Sequence, residues 1–491
     1  MKYPLIFVAM LFCFGDLHAL EFKELKVTSK SKDGRIKYQD FSETDEALFF
    51  ELKYRQGTAK TVIQFILTGP DGQEFITLTK TIPRAGEGSI SGVIRTERLW
   101  DIVAKSGRAK WKLTARADGA KDVQQSFFYD NPFTVQLNRY LVYKPSSYRK
   151  GNGLLIVFHP HWNRNRFFYR FMPICSQLGL MLMEPQPVKE IQKAGTSLFS
   201  LKNKDHPVRA DIFLIQQIDD VVKKYGVDRN SIYLYGLSGG GQFTHRFILA
   251  HPGIIKKAIP AGPSFWTFPD PKMNYIFGIG KNRYVPPDVS LDPRLLGTTD
   301  ILVLVGEKDN LRDDALTKGA KVDLQGFTRL ERSAHWVNSM NSFFLENKIG
   351  NWVRYIIIPG ASHGGTAGKS PDIVKEFIQG EPTEQRIRGV VSINGGEKNT
   401  ASRSVTLAFR VLSEKSPARV AVSDQYGTLK DFHDIVWKQD GTAYTGEMRY
   451  ILPGPLGNKF IYVQFMDADG ELSDPTGEVI TLTDSIPASK K

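Results

Sequence analysis

Two cysteines in 491 residues are too few for a disulfide framework. Cys13 sits in an N-terminal apolar stretch and Cys175 far beyond it, so removal of that stretch leaves no intramolecular pair and stability has to come from burial. Long apolar runs are equally scarce. The chain opens MKYPLIFVAMLFCFGDLHAL, where Pro4 to Phe14 follows a single lysine and is too short to span a bilayer. With Leu17-His18-Ala19 behind it, the stretch reads as a signal peptide, residues 1–19, cut after Ala19. That reading expects a secreted or periplasmic protein with no transmembrane anchor, and Leu11-Phe12 before Cys13 lack the small side chains that lipidation prefers. There is also no basic run interleaved with aromatics, which excludes the usual nucleic-acid binders as a class. The lysines are scattered over the chain. Their excess, a net charge of +13 unchanged by loss of Lys2 and Asp16, admits an anionic cell-envelope or polymer surface as a partner.

What is present is enough chain for two or three cores. Residues 20–135 alternate polar and apolar side chains between turn dipeptides, as in ALFFEL (Ala47 to Leu52), VIQFIL (Val62 to Leu67) and WKLTA (Trp111 to Ala115), with Asp33-Gly34, Asp71-Gly72 and Asp118-Gly119 as turns. The pattern predicts an N-terminal β-sandwich, and nothing in it supplies a reaction centre. Residues 136–380 change to apolar strands separated by helical stretches, the signature of a mostly parallel sheet with crossover helices. Predicted strands are 140–143, 154–158, 178–183, 232–235, 257–260, 301–305 and 354–358; helices are expected over 212–225 and 327–345. Past Gly380-Glu381-Pro382-Thr383, which has the composition of a linker, residues 384–485 return to alternation with Asp440-Gly441 and Asp469-Gly470 as hairpin turns.

The chemistry centres on SIYLYGLSGGGQFTHRF, Ser231 to Phe247. An uncharged apolar run, Ile232 to Tyr235, leads without a spacer into Gly236-Leu237-Ser238-Gly239-Gly240 and then a helix. This is G-x-S-x-G in strand, turn, helix context, a nucleophile elbow. A serine on so sharp a turn needs neighbours without bulk two residues before and after, and Gly236 and Gly240 meet that need. The helix beyond aims unpaired N–H groups and the positive end of its dipole at the serine.

A serine nucleophile needs a base and an acid that orients the base. After Ser238 the strand ILVLV runs into Gly306-Glu307-Lys308-Asp309, and YIIIPG runs into Ala361-Ser362-His363. Asp309 and His363 therefore fall at the C-terminal ends of neighbouring strands, in the order serine, acid, histidine; Glu307 and Asp313 are alternative acids. An oxyanion hole is expected from the N–H of Gly239 with one from the loop His159-Pro160-His161-Trp162, where Pro160 has no N–H and His161 is the donor. His159 and His161 form an H-x-H without a third ligand, so no metal is assigned, and no cofactor is called for. Trp162, Trp266 and Phe268 are candidate substrate-binding faces, although for Trp266 and Phe268 packing beneath the loop is the more usual role. His251 reads as a helix cap, whereas His206, His335 and His433 show no partner in the sequence.

RYLVYKPSSYRKGNGLLIVFHPHW, VDRNSIYLYGLSGGGQFTHRFILAHP and VLVGEKDN give Arg139 to Gln379 a resemblance to the α/β-hydrolase superfamily, and within it to secreted esterases such as polyhydroxybutyrate depolymerases and feruloyl esterases. The resemblance implies an α/β-hydrolase fold, mostly parallel sheet with helices on both faces, and cleavage of a carboxylic ester, small or polymeric, through an acyl-enzyme on Ser238. VSINGGEKNTASRSVTLAFRV and KFIYVQFMDADGELS resemble the immunoglobulin-like modules of bacterial exported proteins, which implies a β-sandwich spacer or docking module at the C-terminus. Two other readings stand beside the esterase. A serine peptidase of the prolyl-oligopeptidase type shares the order of the three residues but carries a propeller of repeated blades, and no repeat is visible from Leu20 to Phe133. A catalytically inactive surface-binding protein on a hydrolase scaffold is the third reading, against which stands the presence of all three residues and both elbow glycines.

Overall fold

The computed structural model describes residues 20–30, 36–37, 40–41, 47–69, 72, 74–95, 108–130, 133–136, 140–158, 168–186, 198, 209–281, 285–286, 288–380 and 386–485. The expected signal peptide, the linker residues 381–383 and the loop with His159, His161 and Trp162 lie outside them. Two compact units divide the chain, 1–137 with 141–145, and 138–140 with 146–491.

In the first unit the alternating segments form two sheets. Glu21–Lys30, Ala47–Gly57 and Gly86–Arg95 build one with Ile36–Lys37 at its edge; Val123–Asp130, Arg108–Arg116, Val62–Thr68 and Glu74–Thr81 build the other with Asp40–Phe41 at its edge. Period-2 alternation sends Leu25, Leu48, Phe50 and Leu52 from one sheet and Ile63, Phe65, Trp111 and Leu113 from the other into one shared core. The Phe50 and Phe65 rings meet there at 4.4 Å. Asp118-Gly119 turns the chain between two paired strands, with Gly119 at φ 75°.

The second unit contains a parallel sheet of β1 (Leu154–Phe158), β2 (Met181–Pro185), β3 (Ile232–Leu237), β4 (Lys257–Ala261), β5 (Asp300–Gly306) and β6 (Val353–Ile358). Their spatial order is β2-β1-β3-β4-β5-β6, and every adjacent pair is parallel. The connecting helices include α1 (Phe168–Leu178), α2 (Ala210–Tyr225), α3 (Gly239–Ala250), α4 (Arg329–Glu346) and α5 (His363–Gln379). Strands β1 to β4 are buried at every position, as strands covered on both faces must be. On β3, Tyr235 donates to Ser370 Oγ of α5 (3.0 Å) and its ring meets Phe171 of α1, while the adjacent Gly236 abuts Thr244 of α3. Successive strand residues point to opposite faces, so helices cover both sides of the sheet. One expected strand started too early: Leu178 ends α1, and Gly179 at φ 68° reverses the chain before β2.

Beyond residue 385, strands again form two sheets around one core that includes Val391, Leu407, Phe409, Ile461, Phe465 and Ile480. This region is not a spacer held off by a linker. It packs on α4, where Asn338 exchanges two hydrogen bonds with the backbone of Val391 (2.9 and 3.0 Å) and donates to Glu478 (3.1 Å). His335, without a visible partner in the sequence, lies 2.8 Å from Glu478. Asp474 accepts from Tyr355 N and Arg354 Nε on β6. Lys257, buried in β4, ties down the end of α5 by donating to Phe377 O and Gly380 O.

Candidate active site

The order β2-β1-β3 reverses direction at β1, and in open parallel sheets the crevice beyond the strand ends at such a switch point is where ligands bind. Ser238 stands there, between β3 and α3. Its backbone is at φ 55°, ψ −113°, a left-handed conformation that a non-glycine residue adopts only under constraint. The constraint is steric. A Cβ on Gly236 would come within 2.2 Å of Gly240 O and 2.5 Å of Thr244 Oγ1; one on Gly240 would come within 2.4 Å of Phe158 O. Ser238 N donates to Ala261 O on β4 (2.8 Å), and Ser238 O takes the first helical hydrogen bond from Gln242 N (3.0 Å). Gly239 opens the helix, so its N–H belongs to the first turn that has no intrahelical acceptor.

Leu237 pairs with Ala261 across β3 and β4, which puts Ser238 beside Gly262. Gly262, at φ 45°, is hydrogen-bonded to Leu304 O of β5 (2.8 Å). A Cβ there would lie 3.2 Å from Asp309 Oδ2 and 3.4 Å from both Nδ1 and Cε1 of His363. The serine therefore flanks the same glycine that the acid and the histidine touch. His363 is the first residue of α5, fixed by the Ser362 cap, whose Oγ accepts from Gly365 N (3.2 Å). Its Nδ1 is 2.6 Å from Asp309 Oδ2. Because an ionised carboxylate only accepts, Nδ1 carries the hydrogen and Nε2 is left as the basic nitrogen. Asp309 is 3 % exposed and sits on the tight turn that follows β5, where its N–H donates to Gly306 O (2.9 Å).

The two alternative acids are engaged elsewhere. Glu307 accepts from Gly360 N (2.7 Å), and Asp313 accepts two hydrogen bonds from Arg329 (2.8 and 3.0 Å). Arg329 also donates to Asp309 Oδ1 (3.1 Å). Sequence reasoning missed this arginine. A signal was there: a cation in the first turn of a helix opposes the dipole and asks for a nearby anion.

Trp266 and Phe268, expected to offer faces to a substrate, are buried. Trp266 is fully covered, stacked on Trp336 at 4.2 Å, with its backbone held by two hydrogen bonds to the Gln325 amide. Phe268 packs edge-on against His335 at 4.7 Å. Both anchor the segment after β4 onto α4, because large apolar rings near a sheet edge gain more from burial than from exposure. His245 beneath them accepts from Thr267 N at Nε2 (3.0 Å) while Nδ1 donates to Gly241 O (2.9 Å), the pattern of a neutral ring. Burial, with Arg246 adjacent, holds its pKa well below the usual imidazole range. His251 closes α3 and pairs with buried Asp211 at 2.8 Å. The proposed oxyanion donor His161 and the candidate face Trp162 are among the residues not described.

No family model matches the chain. No curated protein matches it either. Solved structures with partial similarity include the LpqC poly(3-hydroxybutyrate) depolymerase of Bordetella parapertussis (TM-score 0.41, 19 % identity, 50 % of this chain and 84 % of that one) and poly(aspartic acid) hydrolase-1 of Sphingomonas sp. KT-1 (TM-score 0.41, 20 % identity, 49 % and 93 %). A thermostable esterase is similar over 72 % of this chain and 98 % of its own, with TM-score 0.37 and 15 % identity.

Proposed function

We propose that the chain is an exported serine hydrolase of the α/β-hydrolase type, cleaving carboxylic esters through an acyl-enzyme on Ser238, with one β-sandwich before the catalytic domain in the sequence and another after it. The observation that carries the reading is the convergence on Gly262: a strained Ser238 at the sheet's switch point, and the His363–Asp309 pair touching the same residue.

In this mechanism Ser238 Oγ attacks the ester carbonyl carbon as His363 Nε2 takes the hydroxyl proton. The positive charge on the ring is offset by Asp309 through Nδ1. The carbonyl oxygen becomes an oxyanion facing the Gly239 N–H, with a second donor assigned to His161 N. Collapse expels the alcohol, which leaves with the proton from Nε2. Water, deprotonated by His363, then attacks the acyl carbon, and the acid leaves as Ser238 recovers its proton. The described residues of 20–136 form two sheets around one core and not a series of repeated blades like those of a prolyl-oligopeptidase, which supports ester over peptide cleavage.

Labelling with a fluorophosphonate tests the reading directly, since the probe phosphonylates only an activated serine. The wild type should label at Ser238 and Ser238→Ala should not. A wild type that fails to label would favour the inactive scaffold.

A further inference from the structure

We infer that Arg329 is a positioning residue for Asp309, clamping one carboxylate oxygen through a bridge to Asp313 so that the other faces His363. The inference rests on the triad reading above and goes further, because it assigns the charge balance of the site to two residues outside the triad.

The geometry is a fork. Arg329 Nη1 lies between Asp309 Oδ1 (3.1 Å) and Asp313 Oδ2 (2.8 Å), and Nη2 donates to Asp313 Oδ1 (3.0 Å). Asp309 Oδ2 is left for His363 Nδ1 at 2.6 Å. With both oxygens engaged, the carboxylate cannot rotate without breaking a charge-assisted hydrogen bond. The guanidinium is fully buried and starts α4, two circumstances that disfavour a cation. Burial pulls its pKa down, yet Asp313 and Asp309 outweigh that and raise it. In the reverse direction Arg329 holds Asp313 below the usual carboxylate range, with His363 contributing at longer reach.

The charges then set how readily His363 accepts a proton. With His363 neutral, the four groups His363, Asp309, Arg329 and Asp313 carry one net negative charge; with His363 protonated, as it is after serine attack, the four carry none. Arg329 thus offsets one of the two negative charges on the acid side of the ring. Among the described residues, other ionisable groups nearby include Glu307, bound to Gly360 N, Lys308 on the same loop, buried Arg332 one turn along α4, which pairs with Asp323 and is repelled by Arg329, and Tyr355 of β6, whose phenol is pushed up by burial. These stay constant through the substitutions below.

The test is the pH profile of kcat/KM on a soluble ester, whose acidic limb reports the free enzyme's base. Arg329→Met should move that limb to higher pH by on the order of one unit. Asp313→Asn, which removes a negative charge, should move it to lower pH, by a few tenths of a unit at this partly exposed site. Arg329→Lys keeps the charge but not the fork, so its limb should stay near that of the wild type while kcat falls by up to roughly 10²-fold. A residue that merely props up the fold would change the plateau or the stability without opposite shifts of the limb. Unmoved limbs, or limbs that move the same way in Arg329→Met and Asp313→Asn, overturn the inference. If Arg329→Met does not fold, Asp313→Asn decides alone, since Asp313 is 40 % exposed and its isosteric replacement leaves no buried void. Fluorophosphonate labelling separates the two failures: labelling at Ser238 with unmoved limbs sinks only the role of Arg329, whereas no labelling and no turnover in the wild type sinks both.

Discussion

The two sides of the candidate site are held by different physics. On the serine side the constraint is steric. Ser238 stands at φ 55° on a turn where Gly236, Gly240 and Phe158 are packed too closely to admit a Cβ on either glycine. On the acid side glycine packing also shapes the loops, a Cβ on Gly306 falling 2.2 Å from Ala361 O, but the side chains are held by a chain of charges running from His363 through Asp309 and Arg329 to Asp313. Steric constraint acts over a few ångströms and between residues close in sequence. Charge acts between residues far apart, and it can be altered by one isosteric substitution without moving an atom. The serine side should therefore fail by losing its shape, the acid side by losing its electrostatics with its shape intact.

Asp309→Asn probes the second statement with the largest expected effect. The amide can still bond to His363 but reverses which ring nitrogen holds the hydrogen, and loss of an orienting acid costs roughly 10⁴-fold in kcat. The melting temperature should change far less than the rate. If Glu307→Gln cost more than Asp309→Asn, the acid would have been misassigned. Gly236→Ala probes the first statement. Its new methyl would press on Gly240 O and Thr244 Oγ1 at 2.2 and 2.5 Å, and overpacking of this kind costs about 1–3 kcal/mol. Stability and fluorophosphonate labelling should fall together. An alanine variant with native melting and a tenfold loss of rate would contradict the steric account.

The same division explains what was legible in the sequence. The elbow is local: strand, five-residue turn and helix are contiguous, so steric need shows as a short pattern around Ser238. Asp309 and His363 were legible because each ends a strand, and the order of strands in a parallel sheet brings their ends together. Arg329 is 20 residues from Asp309 and falls within a stretch expected as a helix, where no local pattern ties one charged residue to a partner on a distant loop. Trp266 and Phe268 misled for a related reason: proximity in sequence to a strand end says that a ring is near the site, not which way it points. His335 and Glu478 are farther apart still, on two regions that alternation patterns had separated.

That last pair yields the smallest expected effect. Glu478 is 17 % exposed and faces His335 Nε2 at 2.8 Å, with Asn338 Nδ2 at 3.1 Å on its other oxygen. Burial works to raise its pKa, but His335 outweighs it, and the net result lies below the usual glutamate range. The sign follows from linkage: a carboxyl with a depressed folded pKa stabilises fully above its unfolded value, about 4.3, and loses that contribution as pH falls through the folded one. Glu478→Gln keeps the shape and removes the charge, so at neutral pH it should cost about 1–3 kcal/mol, the worth of a hydrogen bond to a charged group. Below about pH 4 the wild type should converge on the variant. Thermal melting from pH 3 to pH 7 would show two curves that meet at the acid end, with turnover on a soluble ester at neutral pH unchanged because Glu478 touches α4 two turns along from Arg329. Parallel curves would mean that Glu478 holds this face by packing alone. A drop in turnover matching that of Arg329→Lys would mean that α4 transmits the grip of Glu478 to Asp309, and the two sides of the site would no longer be the right units to compare.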